Sequence, residues 1–264
     1  MIKLYDLLME QVDVPKAIVL AGAPGAGKGY VLHGLDLGGL KVLNLDNKYI
    51  DYLKKANVSL DLKNASPKER SRQAIAMQQA NKSFNQDVID TIKAKESFIL
   101  DGTAASYKKT LQLKNELEEA GYEVFMLYVY TDLERALRQN QDRYKKSGGE
   151  DRSLMPAIVL RTWNDVTQNY KPYKNLFADN FVSVANTLED EKINNLEDII
   201  DKYLTPYKPR NTKPKTAARQ KYADKQKAKT TSEIKALLGS GANDIIDSSV
   251  SAEEAKSKIK SFLN

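Results

Sequence analysis

Short apolar runs alternate along the chain with longer segments in which apolar residues recur every three or four positions, the pattern of strand following helix following strand. Five runs read as strands: 17–21, 41–45, 97–101, 122–130 and 180–184. The fourth, with Val124, Phe125, Met126, Leu127 and Val129, is apolar without alternation, as a strand covered on both faces is. Between them lie helical patterns at 29–35, 47–56, 132–144 and 153–170, the last with Pro156 in its first turn. A long helix opens at Ser66, where Pro67 suits the first turn and Glu69 completes a capping box, and Phe84, Val88 and Ile92 give it a core-facing stripe. Another ends at Ala120, where Gly121 stops it. Residues 1–12 read as an amphipathic helix packed on the body, and 189–204 as a closing helix. Strands alternating with helices predict an α/β fold with a five-stranded parallel sheet covered on both faces. Ligands of such a fold sit beyond the carboxyl ends of the strands.

The pattern changes after residue 204. Residues 205–230 are rich in Pro, Lys and Arg and poor in apolar side chains, which reads as a flexible linker, partly helical from Ala217. Two short helices follow, 232–238 and 251–263, the second opened by Ser251 and Glu254 as a capping box. A piece this small needs something to dock on. The division expected is therefore a body over 1–204, a linker over 205–231 and a helical segment over 232–264.

Charge sharpens the division. The net charge is +6, yet 206–229 alone holds nine Lys or Arg against one acid, so the body is close to neutral. That stretch reads either as a nonspecific contact to nucleic acid or a protein partner, or as a solvated linker. With no cysteine and a single histidine, His33, thiolate and histidine metal sites are excluded, and any metal is oxygen-ligated. No long apolar run or leader pattern is present, so a cytoplasmic protein without membrane contact is expected.

The most informative stretch follows the first strand. Gly22-Ala23-Pro24-Gly25-Ala26-Gly27-Lys28 has the spacing G-x-x-x-x-G-K, in which backbone N–H groups turn onto phosphates and the lysine adds a point charge. The following helix points its positive end at the same anion. The Ser or Thr that ordinarily follows the lysine and ligates magnesium is replaced by Gly29 and Tyr30, so magnesium would be held through water or other carboxylates. Asp46 and Asp101 follow the second and third strands and converge with Lys28 on one crevice. Phosphoryl transfer assigns Asp46 to orient or deprotonate an acceptor hydroxyl and Asp101 to hold the metal's water shell. The alternatives are a helix cap for Asp46 and a turn former for Asp101. Cations for the transferred group come from Arg135, Arg138 and Arg143 on one helix and Arg152 across a glycine-containing, mobile connection, with Arg138 and Arg152 favoured.

The loop Gly22-Ala-Pro-Gly-Ala-Gly-Lys-Gly29 resembles that of adenylate kinases. Together with Val42-Leu-Asn-Leu-Asp46, Ile99-Leu-Asp-Gly-Thr103 and the strand-to-arginine-helix element 129–143, residues 16–204 resemble the small P-loop kinases that include zeta toxins and phage polynucleotide kinases. The likeness extends to zeta-toxin-like proteins of large tailed bacteriophages. It implies ATP- and magnesium-dependent phosphorylation of a hydroxyl, with Asp46 as base, lid arginines on the phosphates and Thr103 beside Asp46 at the acceptor. Zeta toxins use a nucleotide sugar and polynucleotide kinases a nucleic-acid 5′ end, so the acceptor stays open. A nucleoside monophosphate kinase and a nucleotide-binding scaffold or phage assembly protein with a cationic tail remain as alternatives.

Overall fold

Continuous apolar character in the strands has its reason in a sheet with two covered faces. In the computed structural model the described residues are 14–35, 40–62, 65–149, 151–152, 154–187, 217–238 and 242–264. The helices expected over 1–12 and 189–204, and residues 205–216 of the linker, lie outside them. The strands are β1 (Lys16–Ala21), β2 (Lys41–Asn44), β3 (Phe98–Asp101), β4 (Glu123–Tyr130) and β5 (Phe181–Ala185). They form one parallel sheet in the order β2-β3-β1-β4-β5. Successive β1 residues serve opposite faces: Ala17, Val19 and Ala21 one, Ile18 and Leu20 the other.

Ten α-helices are described: α1 (Lys28–Leu35), α2 (Leu45–Lys55), α3 (Pro67–Lys93), α4 (Tyr107–Glu119), α5 (Leu133–Lys146), α6 (Pro156–Gln168), α7 (Tyr170–Phe177), α8 (Ala217–Ala236), α9 (Ala242–Asp247) and α10 (Ala252–Leu263). The capping box expected at Ser66 and Glu69 is complete. At Ser251 only half forms: its hydroxyl accepts from the Glu254 N–H at 3.2 Å, while the Glu254 carboxylate lies 3.3 Å from Lys258 Nζ. The pattern over 153–170 divides into α6 and the separate α7, whose Tyr170, Tyr173 and Phe177 are buried. The helix expected over 232–238 is the end of α8, and 243–246 lies in α9 rather than between helices.

One face of the sheet is covered by α3, α4, α6 and α7, with Ile234 of α8 and Ile245 of α9 joining the same core. The other is covered by Val31 and Leu35 of α1 and by Ala255 and Ile259 of α10. The object on which the C-terminal helices dock is thus the sheet itself. Phe262 packs on Phe125 with ring centroids 5.0 Å apart, and its carbonyl accepts from Lys16 Nζ. The Val250 N–H donates to Ser183 O at 2.8 Å, attaching the segment before α10 to β5. Ile259 is fully buried among Ile18, Phe125 and Val182. We expect Ile259→Ala to cost about 2–5 kcal/mol, read as a lowered urea midpoint with unchanged slope.

Candidate active site

Three strand ends build the site. At the end of β1 the chain turns through Gly25 and Gly27, both with φ near +80°. A side chain on Gly25 would run into the Ala136 backbone, and one on Gly27 into the Asn186 amide. Only glycine permits both the conformation and the approach. The loop is tied down from three directions. The Gly22 N–H donates to Thr103 O at 3.1 Å, and Asn186, just beyond β5, donates from Nδ2 to Ala26 O at 2.9 Å. Gln139 on α5, its amide oriented to satisfy both partners, donates to Gly25 O at 2.8 Å and accepts from Arg135 Nε at 2.8 Å.

Lys28 opens α1, and its Nζ donates to the carbonyls of Gly22 at 3.0 Å and Ala23 at 3.4 Å. Burial pushes this ammonium below its ordinary pKa, while Asp101 and Asp46 hold it up. Asp101 closes β3, and burial raises its carboxyl above the usual range, against the pull of Lys28 and the hydrogen bond from Asn44. Asn44 is paired in register with Asp101 across β2 and β3. Its Nδ2 donates to Asp101 Oδ2 at 2.6 Å, and its Oδ1 accepts from the Asn47 N–H at 3.1 Å, capping α2. The cap of α2 is therefore Asn44, not Asp46; β2 stops before Leu45, and Asp46 stands in the first turn of the helix.

Asp46 is ion-paired with Arg152, whose side chain is only 12% exposed against 49% for Asp46. Asp151 joins the second arginine: its Oδ2 lies 3.4 Å from Arg143 Nε, its Oδ1 accepts the Arg152 N–H at 2.7 Å, and its own N–H donates to Ser147 Oγ at 3.0 Å. The connection between α5 and Arg152 is shorter than its glycines suggest, because α5 runs on through Lys146.

These groups enclose a crevice of about 760 Å³, within the size range of small-molecule sites. Of the residues singled out in the sequence, Gly25, Ala26, Gly27, Lys28, Gly29, Asp46, Asp101, Thr103, Arg143 and Arg152 line it. Gly22, Ala23 and Pro24 form the approach to the loop without lining the crevice. Tyr30 is 81% exposed and does not line the crevice. Arg138 lies on the exposed side of α5, so the structure brings Arg143 to the crevice in its place. Arg135 is turned toward Gln139, with its Nη1 buried. The spacing of Arg135 and Arg138 put them on one face, but nothing in it said which face meets the strand ends. Asn44, Asp51 and Asp151 were missed. The strand-to-helix junction at Asn44 carried a capping signal that could have found it; Asp51, inside a helical pattern, and Asp151, in the connection after α5, carried none.

Among the described residues no three His, Cys, Asp or Glu side chains come together as a ready-made cation site. The oxygen donors nevertheless fit magnesium arriving with a nucleotide, which takes one or two carboxylates alongside phosphate oxygens. Asp101 is the buried carboxylate beside the loop, and Gly29 contributes no hydroxyl. Among the described residues no helix is long and apolar enough to cross a membrane.

Compared with known proteins, residues 5–196 match the sequence profile of the family described as zeta toxin. No curated protein matches the chain. Solved structures similar to it include one of the PezAT chromosomal toxin–antitoxin system of Streptococcus pneumoniae, at 15% identity over 87% of this chain and 91% of that one, TM-score 0.47. A second belongs to an RNA repair complex, at 14% identity over 62% of this chain, which spans about half, 48%, of that one, TM-score 0.47. A third is shikimate kinase from Acinetobacter baumannii, bound to shikimate, at 18% identity over 68% of this chain and 86% of that one, TM-score 0.36.

Proposed function

The chain belongs to the zeta toxin family, and from that premise we propose that it is an ATP-dependent kinase acting on a hydroxyl of a nucleotide-type acceptor, either a nucleotide sugar or a nucleic-acid 5′ end. The chemistry class is that of a P-loop phosphotransferase. The observation that carries the reading is the arrival of Lys28, Asp46, Asp101, Arg143 and Arg152, from three strand ends, α5 and the connection after it, at one crevice. Bound ATP and magnesium would supply the γ-phosphoryl group and part of its charge neutralisation.

The chain's own groups divide the remaining work. Backbone N–H groups of the 22–28 loop and the start of α1 hold the phosphates, and Lys28 leaves the Gly22 and Ala23 carbonyls for them. Arg143 and Arg152 face the charge that spreads over the transferred group. Asp46 orients the acceptor hydroxyl and takes its proton as the new O–P bond forms and the bond to the leaving diphosphate breaks. Asp101 would hold the metal's water shell, and Thr103, which lines the same crevice, is assigned to the acceptor. The ion pair between Asp46 and Arg152 makes their two tasks mutually exclusive with their pairing. An arginine drawn to phosphate leaves the carboxylate open to the acceptor. On the same reading the protein works in a cytoplasm, that of an infected bacterium if it is phage-encoded.

The test is ATP consumption, with magnesium, against 5′-hydroxyl oligonucleotides, nucleoside monophosphates and nucleotide sugars. Turnover that depends on one of the proposed acceptors supports the reading. Turnover with nucleoside monophosphates alone identifies a monophosphate kinase, and ATP binding without turnover a scaffold.

The Gly29 position provides a separate check. A β-carbon built there meets nothing within 4 Å, and its φ does not lie in the left-handed region. Gly29→Ser is therefore expected to fold with a gain of about 0.5 kcal/mol from helix propensity. By restoring the hydroxyl beside Lys28 it should lower the magnesium concentration needed for half-maximal turnover, measured by titrating the metal at fixed ATP.

A further inference from the structure

Helix α8 is built unlike its neighbours. Its twenty residues, AARQKYADKQKAKTTSEIKA, carry no apolar stripe before Ile234. A helix without such a stripe gains little by packing. It is held at its end: Ile234 is fully buried in the main core, and Glu233 Oε2 accepts from Asn164 Nδ2 of α6 at 3.1 Å. Upstream of that anchor, Lys221, Lys225 and Lys229 follow one another at four-residue intervals, and all three are exposed. Lys229 Nζ lies 3.5 Å from Glu233 Oε1, yet the lysine side chain remains 68% exposed. Asp224 is the one acid among the nine cations of 206–229.

Four-residue spacing sets one lysine above the next about 6 Å apart along a helix. A row of cations on a rigid rod suits a linear polyanion. Nucleic acid presents one phosphate per about 3.4 Å of axis on each strand. An anionic membrane is the weaker match, because helices that lie on membranes bury a large apolar face, and this one carries no apolar stripe before Ile234. A near-neutral body leaves 206–229, to which the row belongs, as the chain's main concentration of positive charge.

We propose that α8 binds the phosphate backbone of nucleic acid, without reading its sequence, through Lys221, Lys225 and Lys229. The site is separate from the crevice, and its binding does not depend on which acceptor the crevice takes. The experiment uses the 264-residue chain and a fluorescent oligonucleotide, single-stranded and duplex, titrated by anisotropy at several salt concentrations from about 50 to 200 mM. The variant is Lys221→Gln/Lys225→Gln/Lys229→Gln, since glutamine keeps helix propensity. Its control is Lys68→Gln/Lys82→Gln/Lys258→Gln, which removes the same charge from exposed positions elsewhere.

Loss of three phosphate contacts should flatten the slope of log K against log salt by about two for single strands and somewhat under three for duplex. Affinity at the lowest salt should fall by on the order of tenfold or more, with unchanged helical circular dichroism. The control should keep the parent slope. Absence of binding by the parent at 50 mM salt overturns the proposal. So does an equal slope in variant and parent, an equal loss in the control, or tighter binding to vesicles of anionic lipid than to the oligonucleotide. ATP turnover with a small acceptor, measured on the same variant, should be unaffected. Failure of the crevice reading would appear there rather than in the salt slope.

Discussion

Lys28→Ala should remove ATP turnover by on the order of a thousandfold or more, the scale on which single charge-stabilising groups act in phosphoryl transfer. The lysine stands at the end of the glycine loop with its ammonium buried, held only by two loop carbonyls and by the nearby charges of Asp101 and Asp46. Among the described residues it alone of the crevice's cations rises from the glycine loop itself, while Arg143 and Arg152 approach from α5 and the connection after it. Burial works against the charged form there, and the variant relieves that cost while losing two modest hydrogen bonds. The fold should therefore survive, with a thermal midpoint within about 4–8 °C of the parent, the shift that 1 kcal/mol produces in a small domain and an upper bound for this larger one. Calorimetric titration with ATP should show weakened binding. Turnover within tenfold of the parent would remove the P-loop from the mechanism.

Asp46→Asn should fail differently. Turnover is expected to drop by about 10²–10⁴, the usual contribution of a positioned general base, while ATP affinity holds or rises. Asparagine keeps the shape and much of the hydrogen bonding in the first turn of α2, whose cap is supplied by Asn44 and is not disturbed. Removing the carboxylate also releases Arg152 from its ion pair. That arginine becomes available to phosphate, and one negative charge is lost from the crevice. A fall in kcat with an unchanged or lower KM for ATP is the signature. Equal losses in kcat and ATP affinity would instead place Asp46 in nucleotide binding.

Much of this was legible before any fold was drawn, and the reasons differ by element. The glycine loop, the polar residues at the strand ends and the buried strands rest on local rules: positive φ needs glycine, and a strand covered twice is apolar throughout. Asp46 and Asp101 line one crevice, as their places after the second and third strands predicted, because parallel strands bring their carboxyl ends together whatever the helices do. Arg138 was preferred over Arg143 because helical spacing gives a relative angle between side chains and no absolute one. The absolute angle comes from Ala136 and Leu137 packing into the core, a tertiary fact. Asn44 escaped because its two bonds, to Asp101 and to the Asn47 N–H, join residues 57 apart and 3 apart at once. The split between α6 and α7 has the same character. Tyr170 begins the second helix buried against Tyr128 and Phe181, contacts that no periodicity over 153–170 contains.

The roof that α10 forms over Ile18, Phe125 and Val182 also fixes a time order. Lys16 and Phe262, which touch, are separated by 246 positions. On a ribosome adding about 5–20 residues per second, the first strand waits more than about ten seconds for the helix that covers it. Contacts of such sequence separation also form late once the chain is free. A nascent chain ending before residue 252 leaves uncovered the part of that sheet face that α1 does not reach. Closure of that face therefore waits for residues 252–263, and a chain cut short of them carries an uncovered apolar strip beside α1.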